Sequence, residues 1–199
     1  MIAKGGRGIS VLLVMLTIIT GVLHSYYRNT LLFILFLLTA GFTAASLFFF
    51  RDPERSYSPG EVGQDEMISP ADGRVIALSQ NKISIFMGIR DVHVNRAPIG
   101  GRVKCIRHIP GSHIPAYSKD SDRNERNHIL IETDYGDVLV TQIAGIIARR
   151  IVTYITSDTR VRKGQRIGMI RYGSRVDVTL PIYFETVSYT HLRAHETRH

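Results

Sequence analysis

Residues 128–143 read His128-Ile129-Leu130-Ile131-Glu132-Thr133, Asp134-Tyr135-Gly136-Asp137, then Val138-Leu139-Val140-Thr141-Gln142-Ile143. Two short runs rich in β-branched residues flank Tyr135-Gly136-Asp137, a turn signal with a glycine, so the segment predicts a β-hairpin. Working outward, comparable runs occur at Arg74–Leu78 behind Ala71-Asp72-Gly73, at Lys82–Met87 behind Gln80-Asn81, and at Gly101–Ile109. Others follow at Ile146–Thr156 and Arg166–Tyr172. No helix-period stretch of any length follows residue 51, and no internal repeat or low-complexity tract is present. The expectation for this part is a mainly β, largely antiparallel domain with little helix, formally α+β once the N-terminus is added.

The first fifty residues have a different chemistry. They contain no Asp or Glu and only Lys4, Arg7 and Arg28 as cations. Ile9–Leu23 and Leu31–Phe50 are uncharged apolar runs, and the second, twenty residues long, matches a hydrocarbon layer of roughly 30 Å at about 1.5 Å per helical residue. Between them His24-Ser25-Tyr26-Tyr27-Arg28-Asn29 reads as a polar turn with interfacial aromatics. No small-residue cleavage site follows Leu23, which argues against a removable signal peptide. The expectation is a hairpin of two transmembrane helices over residues 1–50. Lys4 and Arg7 before it, and Arg51 and Arg55 after it, place both ends in the cytoplasm by the positive-inside rule.

Removing the three N-terminal cations from the total of 25 leaves 22 basic against 17 acidic residues in the rest of the chain. That surplus is thin, and with no lysine-rich run or nucleic-acid motif it points away from nucleic acid. The single cysteine, Cys105, excludes an intrachain disulfide and a CxxC metal site. Residues 51–67, with two prolines and two glycines, read as a linker along the membrane surface, residues 68–181 as the β domain. Residues 182–199 lack strand alternation and crowd His191, His195 and His199 together, so they read as an atypical, foreign end.

Several polar clusters interrupt the β runs. Asp72 stands on the turn Ser69-Pro70-Ala71-Asp72-Gly73, where a capping carboxylate is the ordinary reading. In Asp91-Val92-His93-Val94-Asn95-Arg96-Ala97-Pro98 alternation would put Asp91, His93 and Asn95 on one face, with a structural histidine as the alternative. Asn124-Glu125-Arg126-Asn127 precedes a strand and reads equally as a solvated loop. Arg149-Arg150 would suit an anionic head group or plain solvent. Gly173-Ser174 is unspecific by pattern, since it lies in no GxSxG elbow. No GxxxxGKS, GxGxxG or HExxH occurs either, so nucleotide and metal sites lack support.

Taken together the blocks resemble the phosphatidylserine decarboxylases, in particular the short prokaryotic type. The resemblance runs from Phe48 to about Pro181 through Phe49-Phe50-Arg51-Asp52-Pro53-Glu54-Arg55, Ser69–Gly73, Asp91–Pro98, Pro115-Ala116-Tyr117, Asn124–Asn127, Ile143-Ala144-Gly145 and Gly173-Ser174. It implies a proenzyme that cuts itself between Gly173 and Ser174 and turns Ser174 into a pyruvoyl cofactor, with no metal. It further implies a phosphoserine lipid as substrate, diacyl or archaeal ether type, bound through a Schiff base at that group and released as the ethanolamine lipid plus CO2. His93 would be the base, Asp72 the carboxylate that orients it, and Arg96, Asn124, Glu125, Arg126 and Asn127 candidates for holding substrate. Longer relatives carry a second histidine at the position of Arg96. The two processed subunits stay together at the cell membrane, with the β domain on the cytoplasmic side and a homo-oligomer as an option. Two other classes remain: a truncated, inactive remnant, and a membrane-tethered lipid-binding module without chemistry.

Overall fold

The computed structural model describes residues 1–55, 63, 66–79, 81–112, 114–117, 122–146, 150–171 and 174–181. Gly173, Tyr172, Arg149, residues 56–62 and 64–65 of the expected linker, and the expected tail 182–199 lie outside the described residues. The chain divides into two units, Met1–Pro53 and Glu54–His199.

In the first unit a short 3-10 turn leads into α1 (Arg7–Tyr27), which is followed by α2 (Thr30–Phe49). Both helices are long and apolar enough to cross a membrane. The expected polar turn at His24–Asn29 shrinks to Arg28 and Asn29, because His24–Tyr27 continue the first helix. Arg28 reverses the chain with φ 50°, and its N–H donates to the His24 carbonyl at 2.8 Å. Asn29 Oδ1 then caps α2 by accepting from the Leu31 and Leu32 amides, at 2.8 and 3.4 Å. Between the helices the hydroxyls meet in pairs: Ser10 with Ser46 at 3.2 Å, Thr17 with Thr43 at 2.8 Å, Thr20 with Thr39 at 3.0 Å. Leu12, Ile18, Leu31 and Phe42 lie on the outside, 60% or more exposed. Polar groups facing inward and large apolar groups facing outward is the arrangement a lipid solvent favours, the reverse of a water-soluble pair.

The second unit consists of two antiparallel sheets. The larger has seven strands in the order β1-β2-β10-β6-β5-β4-β8, and the smaller has the order β3-β9-β7. The strands are β1 (Arg74–Ser79), β2 (Lys82–Met87), β3 (Val94–Arg96), β4 (Gly101–Ile109), β5 (Arg126–Thr133), β6 (Gly136–Ala144), β7 (Ile151–Thr153), β8 (Arg160–Val161), β9 (Arg166–Ile170) and β10 (Ser174–Thr179). The 128–143 hairpin is β5 and β6, with Thr133 opposite Gly136. Ile85, Val140, Val176 and Ile129 from the large sheet share one core with Ile151, Ile167 and Ile170 of the small one. The described residues after 51 include no α-helix.

In the described part of the run Ile146–Thr156, Ile151–Thr153 form β7, while β3 and β10 form where polar residues disguise a strand. In β10 both faces are covered. Ser174, Val176 and Val178 sit at the register positions of core residues, while Arg175 and Asp177 are buried on the other side by pairing with each other. Arg175 Nε lies 2.9 Å from Asp177 Oδ1, its Nη2 lies 2.5 Å from Asp122, and Lys82 Nζ lies 2.9 Å from Asp177 Oδ2. Mutual neutralisation makes a strand out of charges that by composition suit a loop.

Candidate active site

Ser174 opens β10, a strand paired on both sides. Its register partners are Met87, the last residue of β2, and Ala144, the last of β6. The side chain is fully buried, and among the described residues its Oγ has no hydrogen-bond partner. A buried hydroxyl left without a partner costs on the order of 1–3 kcal/mol, so the position is a reactive-group candidate rather than a structural serine. Gly111-Ser112 provides the internal contrast. Ser112 Oγ lies 3.1 Å from both the Arg123 carbonyl and Asn124 Oδ1, and it is committed to the loop.

His93 immediately precedes β3 and is fully buried. The Ile170 amide donates to its carbonyl at 3.3 Å, so it sits beside the end of β9, four residues before Ser174 in the chain. Its Nδ1 lies 2.9 Å from the carbonyl oxygen of Asp91. A carbonyl only accepts, so Nδ1 carries a proton, and in the neutral ring the lone pair is on Nε2. The Asp91 carboxylate is itself held by the Gly88 amide at 2.8 Å. A backbone carbonyl is thus a partner of Nδ1, alongside the expected part of Asp72. A backbone oxygen has no signature in composition.

Asp72 is buried, with its carboxylate 2.5 Å from Arg55 Nη2. Its turn is fixed from both sides. Gly73 has φ 139°, and a Cβ there would meet the Phe86 carbonyl oxygen at 2.1 Å, so only glycine fits behind Asp72. The Pro70 carbonyl accepts from the Arg96 amide at 2.8 Å, which lays the Ser69–Gly73 turn along β3. Arg74, Phe86 and Arg175 stand in one row across β1, β2 and β10. Asp72 and Ser174 therefore lie at the same end of the large sheet, one strand apart.

Alternation fails for Val94–Arg96, since both faces of β3 are buried. Asn95 Oδ1 accepts from Gln142 Nε2 at 2.8 Å, and Gln142 Oε1 accepts from Asn127 Nδ2 at 3.0 Å. Asn127 Nδ2 also lies 3.2 Å from Thr153 Oγ1, and Asn95 Nδ2 lies 3.5 Å from Met87 Sδ. This chain of carboxamides joins the two sheets on the face that carries Ser174. Its polarity follows from the thioether, which accepts but never donates. Gly168 permits it, because a Cβ there would stand 2.8 Å from Gln142 Nε2 and 2.9 Å from the Val152 carbonyl. Gln142 is missing from the sequence candidates. The available signal was one amide in the otherwise apolar Val138–Ile143 run.

The remaining candidates separate. Asn124 is saturated: Oδ1 accepts from the Ile114 amide at 2.8 Å and from Ser112 Oγ, while Nδ2 donates to the carbonyls of Ile114 at 2.6 Å and Ala144 at 2.8 Å. It pins the loop beside Ala144 instead of waiting for substrate. Glu125 lies 3.4 Å from His108 Nε2, and Arg126 donates to the Asp122 carbonyl. Arg96 is buried, and its Nη1 donates to the Gly164 carbonyl at 3.1 Å. Among the described residues no group of three His, Cys, Asp or Glu side chains is arranged to hold a metal ion.

These features agree with comparisons to known proteins. A family model described as phosphatidylserine decarboxylase matches residues 78–193. A Methanosarcina mazei protein with the provisional name archaetidylserine decarboxylase proenzyme is 57% identical over 143 residues, 72% of this chain and 67% of that protein. A Streptomyces griseus phosphatidylserine decarboxylase proenzyme is 47% identical over 148 residues, 72% of this chain and 66% of its own. An Archaeoglobus fulgidus relative, also provisionally named archaetidylserine decarboxylase proenzyme, is 44% identical over 187 residues, 94% of this chain and 88% of its own. The matches to the first two cover about two thirds of each relative's length. The chain belongs to the phosphatidylserine decarboxylase family of enzymes.

Proposed function

We propose that this chain is a membrane-bound decarboxylase of phosphoserine lipids that makes its own pyruvoyl group from Ser174. The observation that carries the reading is the Ser174 hydroxyl, buried without a partner among the described residues directly after Gly173. Ser174 Oγ adds to the Gly173 carbonyl, and collapse with loss of the peptide nitrogen gives an ester. Elimination breaks the Ser174 Cβ–Oγ bond, releases Gly173 as a carboxylate and leaves a dehydroalanine. Water then replaces its nitrogen, which departs as ammonia. A serine hydroxyl needs a base for the first step, and His93 Nε2, left basic by the Asp91 carbonyl, is the candidate. Asp72, paired with Arg55 at the same end of the sheet, is the candidate carboxylate to assist His93.

A pyruvoyl group supplies a ketone that engages the head-group amine and withdraws electrons as the carboxylate leaves. The protein's part is the buried setting of Ser174 and a proton, which His93 returns to the head-group carbon. Arg96, whose Nη1 donates to the Gly164 carbonyl, stays a candidate for the lipid phosphate. The inside-out polarity of the helical hairpin supports insertion in a bilayer, and the flanking Lys4, Arg7, Arg51 and Arg55 favour a cytoplasmic β domain. The relatives' names include both ether-lipid and diacyl types, and the phosphoserine head group is common to the two.

The test is release of labelled CO2 from carboxyl-labelled phosphoserine lipid by the full chain in vesicles. Release is expected from the wild type and none from Ser174→Ala. Release from Ser174→Ala, or none from self-cleaved wild type, overturns the reading.

A further inference from the structure

The end of the large sheet that carries Ser174 is ringed by exposed apolar side chains. Ile89, in the turn after β2, is 63% exposed; Ile146, two residues past β6, is 55% exposed; Tyr117 is 67% exposed. All three lie close to the Ser174 row. β2 and β6 end at Met87 and Ala144, the two register partners of Ser174. Tyr117 packs edge-on against Phe86 at 5.8 Å, and Phe86 is the partner of Arg175. Among the described residues the opposite end of the sheet has Tyr135 at 38% and Leu78 at 42%. Exposed isoleucines on loop tips are unfavourable in water, and two of them with a tyrosine at one end form a patch with a purpose.

Among the described residues the charge around the patch is mixed, with a basic excess. Arg90 and Arg150 are exposed near Ile89 and Ile146 in sequence, and Arg171 follows β9 at this end. The nearby carboxylates are already engaged within the protein. Asp91 accepts from the Gly88 amide, Asp122 pairs with Arg175, and Glu125 lies against His108. Aliphatic tips, a tyrosine and arginines in one rim match the interface of a bilayer with anionic head groups.

We infer that this rim is a bilayer-docking surface of the β domain itself, which seats Ile89, Tyr117 and Ile146 in the head-group region of an anionic membrane. The helical hairpin tethers the protein; the rim orients the buried Ser174 end toward the lipid, so that a head group enters without crossing water. The choice of a lipid partner rests on the proposed function, while the docking itself is measurable without any turnover.

The chain contains no tryptophan, so each single substitution gives a clean fluorophore. Ile89→Trp, Ile146→Trp and, as a control, Tyr135→Trp are made in the full chain and reconstituted in vesicles with and without phosphatidylglycerol. The expected result is blue-shifted emission and quenching by brominated lipid at positions 89 and 146, stronger with phosphatidylglycerol and weakened by salt, with neither effect at 135. Water-like, unquenched emission at both rim positions, or equal quenching at 135, overturns the inference. If one rim variant misfolds, the other decides, and Tyr117→Trp provides a third, near-isosteric probe. An unprocessed, inactive chain that shows the quenching refutes the decarboxylase reading and leaves the docking surface standing.

Discussion

His93 and Ser174 are both fully buried, yet burial means different things for them. The histidine is oriented by the Asp91 carbonyl, and the serine has no described partner to hold it. A positioned general base contributes roughly 10²–10⁴-fold, so His93→Ala should slow self-cleavage by about that factor. Asp72→Asn should slow it less, and the double variant should be little worse than His93→Ala, because residues acting as a unit are not additive. Time courses of precursor on a gel read all three; normal processing in His93→Ala would move the base elsewhere. The carboxamide chain makes a separate prediction. Gly168→Ala forces a Cβ against Gln142 and the Val152 carbonyl, and overpacking of this kind costs about 1–3 kcal/mol. Chemical denaturation should show it, and unchanged stability would mean that the sheets move apart freely. Of the candidate site, the residue types Ser174, His93 and Asp72 could be named from the sequence. Its geometry could not, because a partner of His93 Nδ1 is backbone and Gln142 is a lone amide in an apolar strand.

At the scale of elements, the strands with alternating or β-branched sequence were readable, and β10 was not. Its hidden feature is a pair of opposite charges two residues apart, each able to bury the other. Removing Arg175 should leave buried Asp177 with only the partly exposed Lys82 as counter-charge, at a cost of up to about 3–5 kcal/mol. Arg175→Met should accordingly destabilise the β domain far more than Arg102→Met, whose pair with Asp158 is exposed. Equal effects in denaturant melts would contradict that picture. The outer face of β5 adds a pH dependence. Burial first, then the charges of Arg126 and Arg107, hold His128 below its ordinary value of 6.5. Protonation therefore favours the unfolded chain: the contribution is intact above about 6.5 and is lost as pH falls through the lower folded value. His128→Gln should flatten the stability profile on the acid side of pH 6.5, and a profile as steep as the wild type's would assign the acid sensitivity to other groups.

For the whole molecule, the N-terminal unit and the β domain follow opposite solvent rules, which the abrupt change in composition near residue 51 already announces. If the hairpin inserts as its polarity implies, high salt and alkaline carbonate should leave the protein in the membrane pellet. Release by salt alone would make surface charge the anchor. The proposed function requires the chain to break its own backbone at one bond, Gly173–Ser174. Intact-mass spectrometry of the purified full chain tests it most directly. The account predicts two chains, residues 1–173 and residues 174–199, the smaller with a ketone in place of its amino terminus, and a single uncut chain for Ser174→Ala. A wild-type protein that remains one chain of 199 residues, or one cut after Gly111 with a free amine on the new end, would contradict it.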